Sequence, residues 1–156
     1  MACFDAESNK CIKELAKEIT TSMEDYCRDQ IPFIKCINDG AAMCETKFVK
    51  DAKEWYETNV DACKEGSKLN KAIKENEECI TKATSESNCF SEVGFDLKEM
   101  SRDEAGCKEL KKVEDCLYRK VKSECSRNVA IIFLRMYHPM VRLQLKICYA
   151  RGYLKN

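Results

Sequence analysis

The stretch CKELKKVEDCLYRKVKSEC, residues 107–125, decides the fold. Its apolar side chains Leu110, Val113, Leu117 and Val121 recur at spacings of three and four, as on one face of a helix. Its cysteines, Cys107, Cys116 and Cys125, stand nine residues apart. Nine residues of helix rise ~13 Å, whereas a disulfide needs Cα atoms roughly 4.4–6.8 Å apart. Neighbouring cysteines of this run cannot pair on one continuous helix. Each must reach another segment, so the run predicts helices held side by side by disulfides.

The rest of the chain extends that pattern. Twelve cysteines lie among 156 residues: Cys3, Cys11, Cys27, Cys36, Cys44, Cys63, Cys79, Cys89, Cys107, Cys116, Cys125 and Cys148. An even, dense count in a short chain reads as a disulfide framework made in an oxidising compartment. Cys27, Cys36 and Cys44 form a second triad, with intervals of nine and eight, and the two triads hint at an internal duplication. Pairing cannot be read from sequence. A Cys27–Cys36 bridge across a break at Asp29–Pro32 stays open.

Propensity and periodicity favour helix throughout. Glycine occurs five times, proline twice, and alternating strand patterns are hard to find. A first helix is expected over Asp5–Cys27, carrying Cys11, Ile12, Leu15, Ile19 and Met23 on one face. A break at Asp29–Pro32 and a brief helix Phe33–Ile37 follow, ended by the turn signal Asn38-Asp39-Gly40. A third helix spans Ala42–Cys63, with Gly66 past its end and Ser67 capping the next, which closes near Ala83. Thr84–Asn88 reads as a loop, and Phe90–Gly94–Phe95 as a crossing to Leu97 and Met100. Ser101 and Glu104 have capping-box spacing, with Asp103 as the alternative cap. The last helix begins near Asn128, and its two apolar sectors make it the expected central helix. Pro139 is expected to kink or split it. The fold class is therefore all-α: a compact, disulfide-braced bundle of about five or six helices, one domain over 3–148 with a C-terminal tail at 149–156.

Several function classes find no support. The most apolar stretch, Ala130–Leu134, is too short to span a membrane. No glycine cluster suggests a phosphate loop. No CxxC pair marks a metal site, and no cofactor is expected. His138 is the only histidine, and the apolar surroundings and Pro139 beside it favour a structural role over catalysis. The basic surface is too narrow for nucleic acid. Met1 and Ala2 lead directly into Cys3, so any natural secretion signal is expected to have been removed.

Cysteine number and spacing, with helical filler between, resemble the nematode secreted twelve-cysteine domain family. The match runs from Cys3 to Cys148, and Cys36-Ile-Asn-Asp-Gly40 and Glu114-Asp-Cys116-Leu117 add local support. That family is a domain of unknown function with six presumed disulfides. The resemblance implies a secreted or receptor-ectodomain module and carries no catalytic residues.

Two binding roles are expected in place of catalysis. The chain is formally neutral, yet from residue 126 onward it holds six basic residues and no acidic one. Arg127, Arg135, Arg142, Lys146, Tyr149, Arg151 and Tyr153 form the expected surface for a secreted or membrane protein partner, because Arg and Tyr join apolar area to polar reach. The bland alternative packs this basic end against the acidic body. In the second role, Phe48, Trp55, Phe133, Met136, Met140 and Leu143 line a cavity for a small hydrophobic or lipid ligand. The same six would look alike in a solid core.

Overall fold

The computed structural model describes residues 1–17, 22–90 and 100–155. They form six α-helices: α1 Ala2–Leu15, α2 Met23–Met43, α3 Val49–Cys63, α4 Lys68–Ser85, α5 Glu104–Glu124 and α6 Arg127–Ala150, with a 3-10 turn at Met100–Arg102 before α5. Among the described residues there is no strand, and no helix is long and apolar enough to cross a membrane. The all-α bundle expected from the sequence is the fold.

Six disulfides brace it, and no cysteine is free. Cys3–Cys44 and Cys11–Cys36 tie α1 to α2, and Cys27–Cys63 ties α2 to α3. Cys79–Cys125 and Cys89–Cys116 tie α4 and the residues after it to α5, and Cys107–Cys148 ties α5 to α6. Helix geometry explains this arrangement. Nine residues make about two and a half turns, so Cys27 and Cys36 leave α2 on opposite sides. One reaches α3 and the other α1. Cys107 and Cys116 do the same on α5, toward α6 and toward the α4 side. Each bridge contributes on the order of 2–4 kcal/mol, largely by restricting the unfolded chain, and the contributions are not additive.

Two expectations about α2 are corrected. It runs unbroken through Pro32, so no turn at Asp29–Pro32 exists for Cys27 and Cys36 to close across. Nor is Asn38-Asp39-Gly40 a turn. Gly40 is buried inside α2, where a Cβ would lie 3.1 Å from the Cβ of Glu7 on α1. A larger residue there would require Glu7 to give way by a few tenths of an ångström. The helix ends four residues later, at Cys44. There Glu45 N–H donates to Ala42 O and Thr46 N–H to Ala41 O, a Schellman ending with Glu45 at φ 49°.

The remaining ends follow ordinary capping chemistry. Ser22, Ser67, Asp103 and Ser126 accept backbone N–H bonds at the starts of α2, α4, α5 and α6. The cap of α5 is thus Asp103 and not Ser101, which is buried in the 3-10 turn. The expected Ala42–Cys63 helix is shorter and starts at Val49, while α4 runs on to Ser85, two residues past Ala83 and into the loop expected at Thr84–Asn88. Pro139 lies inside α6 and does not split it. Past α6, Gly152 at φ 77° makes the same Schellman ending as Glu45, with Tyr153 N–H donating to Cys148 O. The single first helix expected over Asp5–Cys27 is instead two: α1 ends at Leu15 with Ala16 extended, and a new helix, α2, starts at Met23 behind the extended cap Ser22. Ile19 of its expected apolar face, and the crossing from Gly94 to Leu97, lie outside the described residues.

Helix α6 is central, as its two apolar sectors predict. Leu143 and Ile147 join Phe33, Ile34, Trp55 and Phe4 in one cluster. Val141 and Cys148 join Leu110, Val113 and Leu117 in another. Ile132 and Met136 pack on Ala62, Leu69 and Ile73. The Schellman ending at Glu45 generates a test. A left-handed backbone costs a non-glycine residue roughly 1 kcal/mol, so Glu45→Gly is expected to raise unfolding stability by about 0.5–1 kcal/mol in a denaturant melt. A loss of stability would show that the Glu45 side chain matters more than its backbone.

Candidate functional site: a cleft between α1, α2, α3 and α6

Helix α2 supplies one wall of a cleft of about 390 Å³. Tyr26, Gln30, Phe33 and Ile37 recur at spacings of four, three and four, and all face it, with Ile34 beside them. Phe4 and Ile12 of α1 stand alongside, held there by the two α1–α2 disulfides. The opposite wall is α6, through Met140, Leu143, Gln144 and Ile147, and Trp55 of α3 closes between them. Trp55 is the chain's only tryptophan and is 9% exposed.

Several polar groups around the cleft have partners within the protein. At one end the Tyr26 hydroxyl donates to Asn59 Oδ1 at 2.7 Å, and Asn59 Nδ2 donates to Trp55 O at 2.8 Å. Gln30 Nε2 donates to Lys17 O at 3.3 Å. At the other end Arg151, just past α6, bonds the Asp5 carboxylate of α1 and donates to Ser101 O at 2.6 Å. This clip joins the start of α1, the 3-10 turn and the end of α6. The cleft between these ends is mainly apolar.

The expected cavity residues divide. Trp55, Met140 and Leu143 do line the cleft. Phe48 lies behind it, edge-on to Phe4 with ring centroids 4.9 Å apart. Phe133 stacks on Tyr137 at 5.1 Å, and Met136 packs toward α4. These three are core and not cleft lining. The α2 stripe was missed because a break at Pro32 cuts it in two.

The expected partner surface also divides. Arg142 is held by Asp51 at 3.0 Å and by Glu54, both on α3. Arg151 is held in the clip, and Tyr153 is half-buried at the cleft. For these cations the bland alternative applies, since the basic end packs on acidic helices. Arg127, Arg135, Lys146 and Tyr149 remain exposed. His138 Nδ1 lies 2.9 Å from Glu114, a carboxylate buried to 3% that Lys111 also contacts at 2.9 Å. That cluster links α5 to α6. Among the described residues no group of three or more His, Cys, Asp and Glu side chains could hold a metal ion.

Two tyrosines carry a pH signature. Burial raises the Tyr26 phenol above its ordinary value, and burial with the nearby Glu114 charge raises Tyr137. A raised folded value means that the neutral phenol favours the fold below pH ~10, and this contribution is lost as pH climbs further. Phenolate absorbance lost in Tyr26→Phe and Tyr137→Phe is therefore expected to have appeared in the parent only as helical circular dichroism falls. Ionisation of either phenol with full helicity retained would contradict the burial.

No family model, no curated protein and no solved structure matches this chain.

Proposed function

We propose that this is a secreted, non-enzymatic binding protein that carries a small hydrophobic or lipid-like ligand in the cleft between α1, α2, α3 and α6. The observation that carries the reading is the cleft itself. Its volume falls within the ~300–1,000 Å³ of small-molecule sites, and its lining is more apolar than polar, with Ser8, Asn9, Gln30 and Gln144 set among the apolar side chains. The Tyr26 hydroxyl and the Arg151 guanidinium are already bonded within the protein, so a ligand's apolar body need not satisfy them. Full pairing of the cysteines supports export to an oxidising compartment. Membership of the nematode twelve-cysteine family remains a proposal that rests on cysteine number and spacing.

A second reading has its own support. Arg127, Arg135 and Lys146 are exposed along α6 with Tyr149, which is 43% exposed. No ion pair holds these cations among the described residues. This strip is the part of the expected surface left for a secreted or membrane protein partner with an acidic face.

Trp55 makes the first reading directly testable. A bromine-tagged medium-chain alcohol is expected to quench its emission saturably, with recovery on adding the untagged alcohol. Quenching no stronger than that of free tryptophan would remove the carrier reading and leave the α6 strip as the site to pursue.

A further inference from the structure

We propose that the chain is a tandem duplication: two homologous units, each of three helices and three disulfides, joined at Lys64–Ser67. The disulfides carry the inference. Numbered within each half, the first six cysteines pair first to fifth, second to fourth and third to sixth. The last six pair in the same order. No bridge crosses between the halves. Six cysteines allow about fifteen pairings, so agreement by chance is roughly one in fifteen even for two closed halves. The loop sizes also run parallel, with separations of 41, 25 and 36 residues in the first half and 46, 27 and 41 in the second.

The helices repeat with the bridges. In each half the middle helix carries the third and fourth cysteines, and the fifth is its C-cap residue: Cys44 for α2 and Cys125 for α5. The sixth lies in the last turn of the third helix, as Cys63 in α3 and Cys148 in α6. Burial agrees in the register that the cysteines set. Eighty residues separate Cys27 from Cys107 and Cys36 from Cys116. The same offset carries buried Gln30, Phe33, Ile34 and Ile37 of α2 onto buried Leu110, Val113, Glu114 and Leu117 of α5.

The junction between the units fits the same relation. Helices α3 and α6 cross antiparallel, because Asp51 and Glu54 meet Arg142 while Ala62 packs with Ile132 and Met136. The duplication exchanges α3 with α6. An antiparallel contact between exchanged helices maps onto itself, as in an isologous interface between two copies. The copies have diverged at the cleft. In the second unit Leu110, Val113 and Leu117 are packed with Val141 and Cys148, where their counterparts face open volume. One ligand per chain follows if the carrier reading holds, but the duplication does not depend on it.

Disulfide mapping of the full oxidised chain tests the proposal. After thiol blocking and denaturation, cleavage at lysyl bonds, including Lys64 and Lys68, is expected to release every linked peptide within residues 1–64 or 69–156. The pairing order should be the same in both sets. One peptide pair joining the halves, or a different order in the second set, would overturn it. A variant with Cys107→Ala and Cys148→Ala, mapped in the same way, is expected to keep all three bridges of the first unit. New bridges between the two cysteine sets would show that the halves do not pair independently.

Discussion

A nine-residue interval on a helix is the constraint on which this structure depends. It is too long for a disulfide within the helix, and it turns the second cysteine to the side opposite the first. Helix α2 therefore holds a neighbour on each side, α1 through Cys36 and α3 through Cys27, and α5 does the same through Cys116 and Cys107. Each middle helix becomes a spine. The two third helices, α3 and α6, then complete the bundle by packing on each other. Bridges on both sides of a spine fix helix spacing covalently, so the core need not be filled everywhere to define the fold.

The cleft follows from that freedom. Two disulfides and the close approach at Gly40 hold α1 against α2. The Arg142 contacts with Asp51 and Glu54 hold α6 against α3. Arg151, bonding Asp5 and Ser101, clips the two walls together at one end. Between these ties the facing side chains of α2 and α6 leave about 390 Å³. The equivalent surface of α5 is instead packed onto α6, so the same framework accommodates a solid core in one half and a cleft in the other.

Sequence reading reached the fold through local signals that act within one or two turns. The apolar sectors of α6, Gly66, and the caps Ser67 and Asp103 are of this kind. It misread α2 for an equally local reason. Pro32 and Gly40 are both breakers by propensity, yet disulfides on two faces hold the helix through the proline, and the glycine serves a helix crossing. The true end lies at Cys44, just before Glu45, whose left-handed conformation no propensity marks. That error hid the Tyr26–Gln30–Phe33–Ile37 stripe, so only Trp55, Met140 and Leu143 of the cleft were legible. Charge asymmetry already offers packing of the basic end on the acidic body, but not which acids Arg142 and Arg151 meet, because Asp51, Glu54 and Asp5 lie far away in the chain. The repeated disulfide order was only hinted at by the two triads, since pairing is a property of three-dimensional proximity.

Native mass spectrometry of the full chain, made in an oxidising host and kept free of detergent, tests the central claim most directly. The account predicts that one small molecule travels with each chain and is lost on denaturation. The denatured mass should then fall below that of the reduced polypeptide by the hydrogens of six disulfides. A bare native mass that stays bare after incubation with excess medium-chain alcohol would contradict the claim that this cleft holds a ligand.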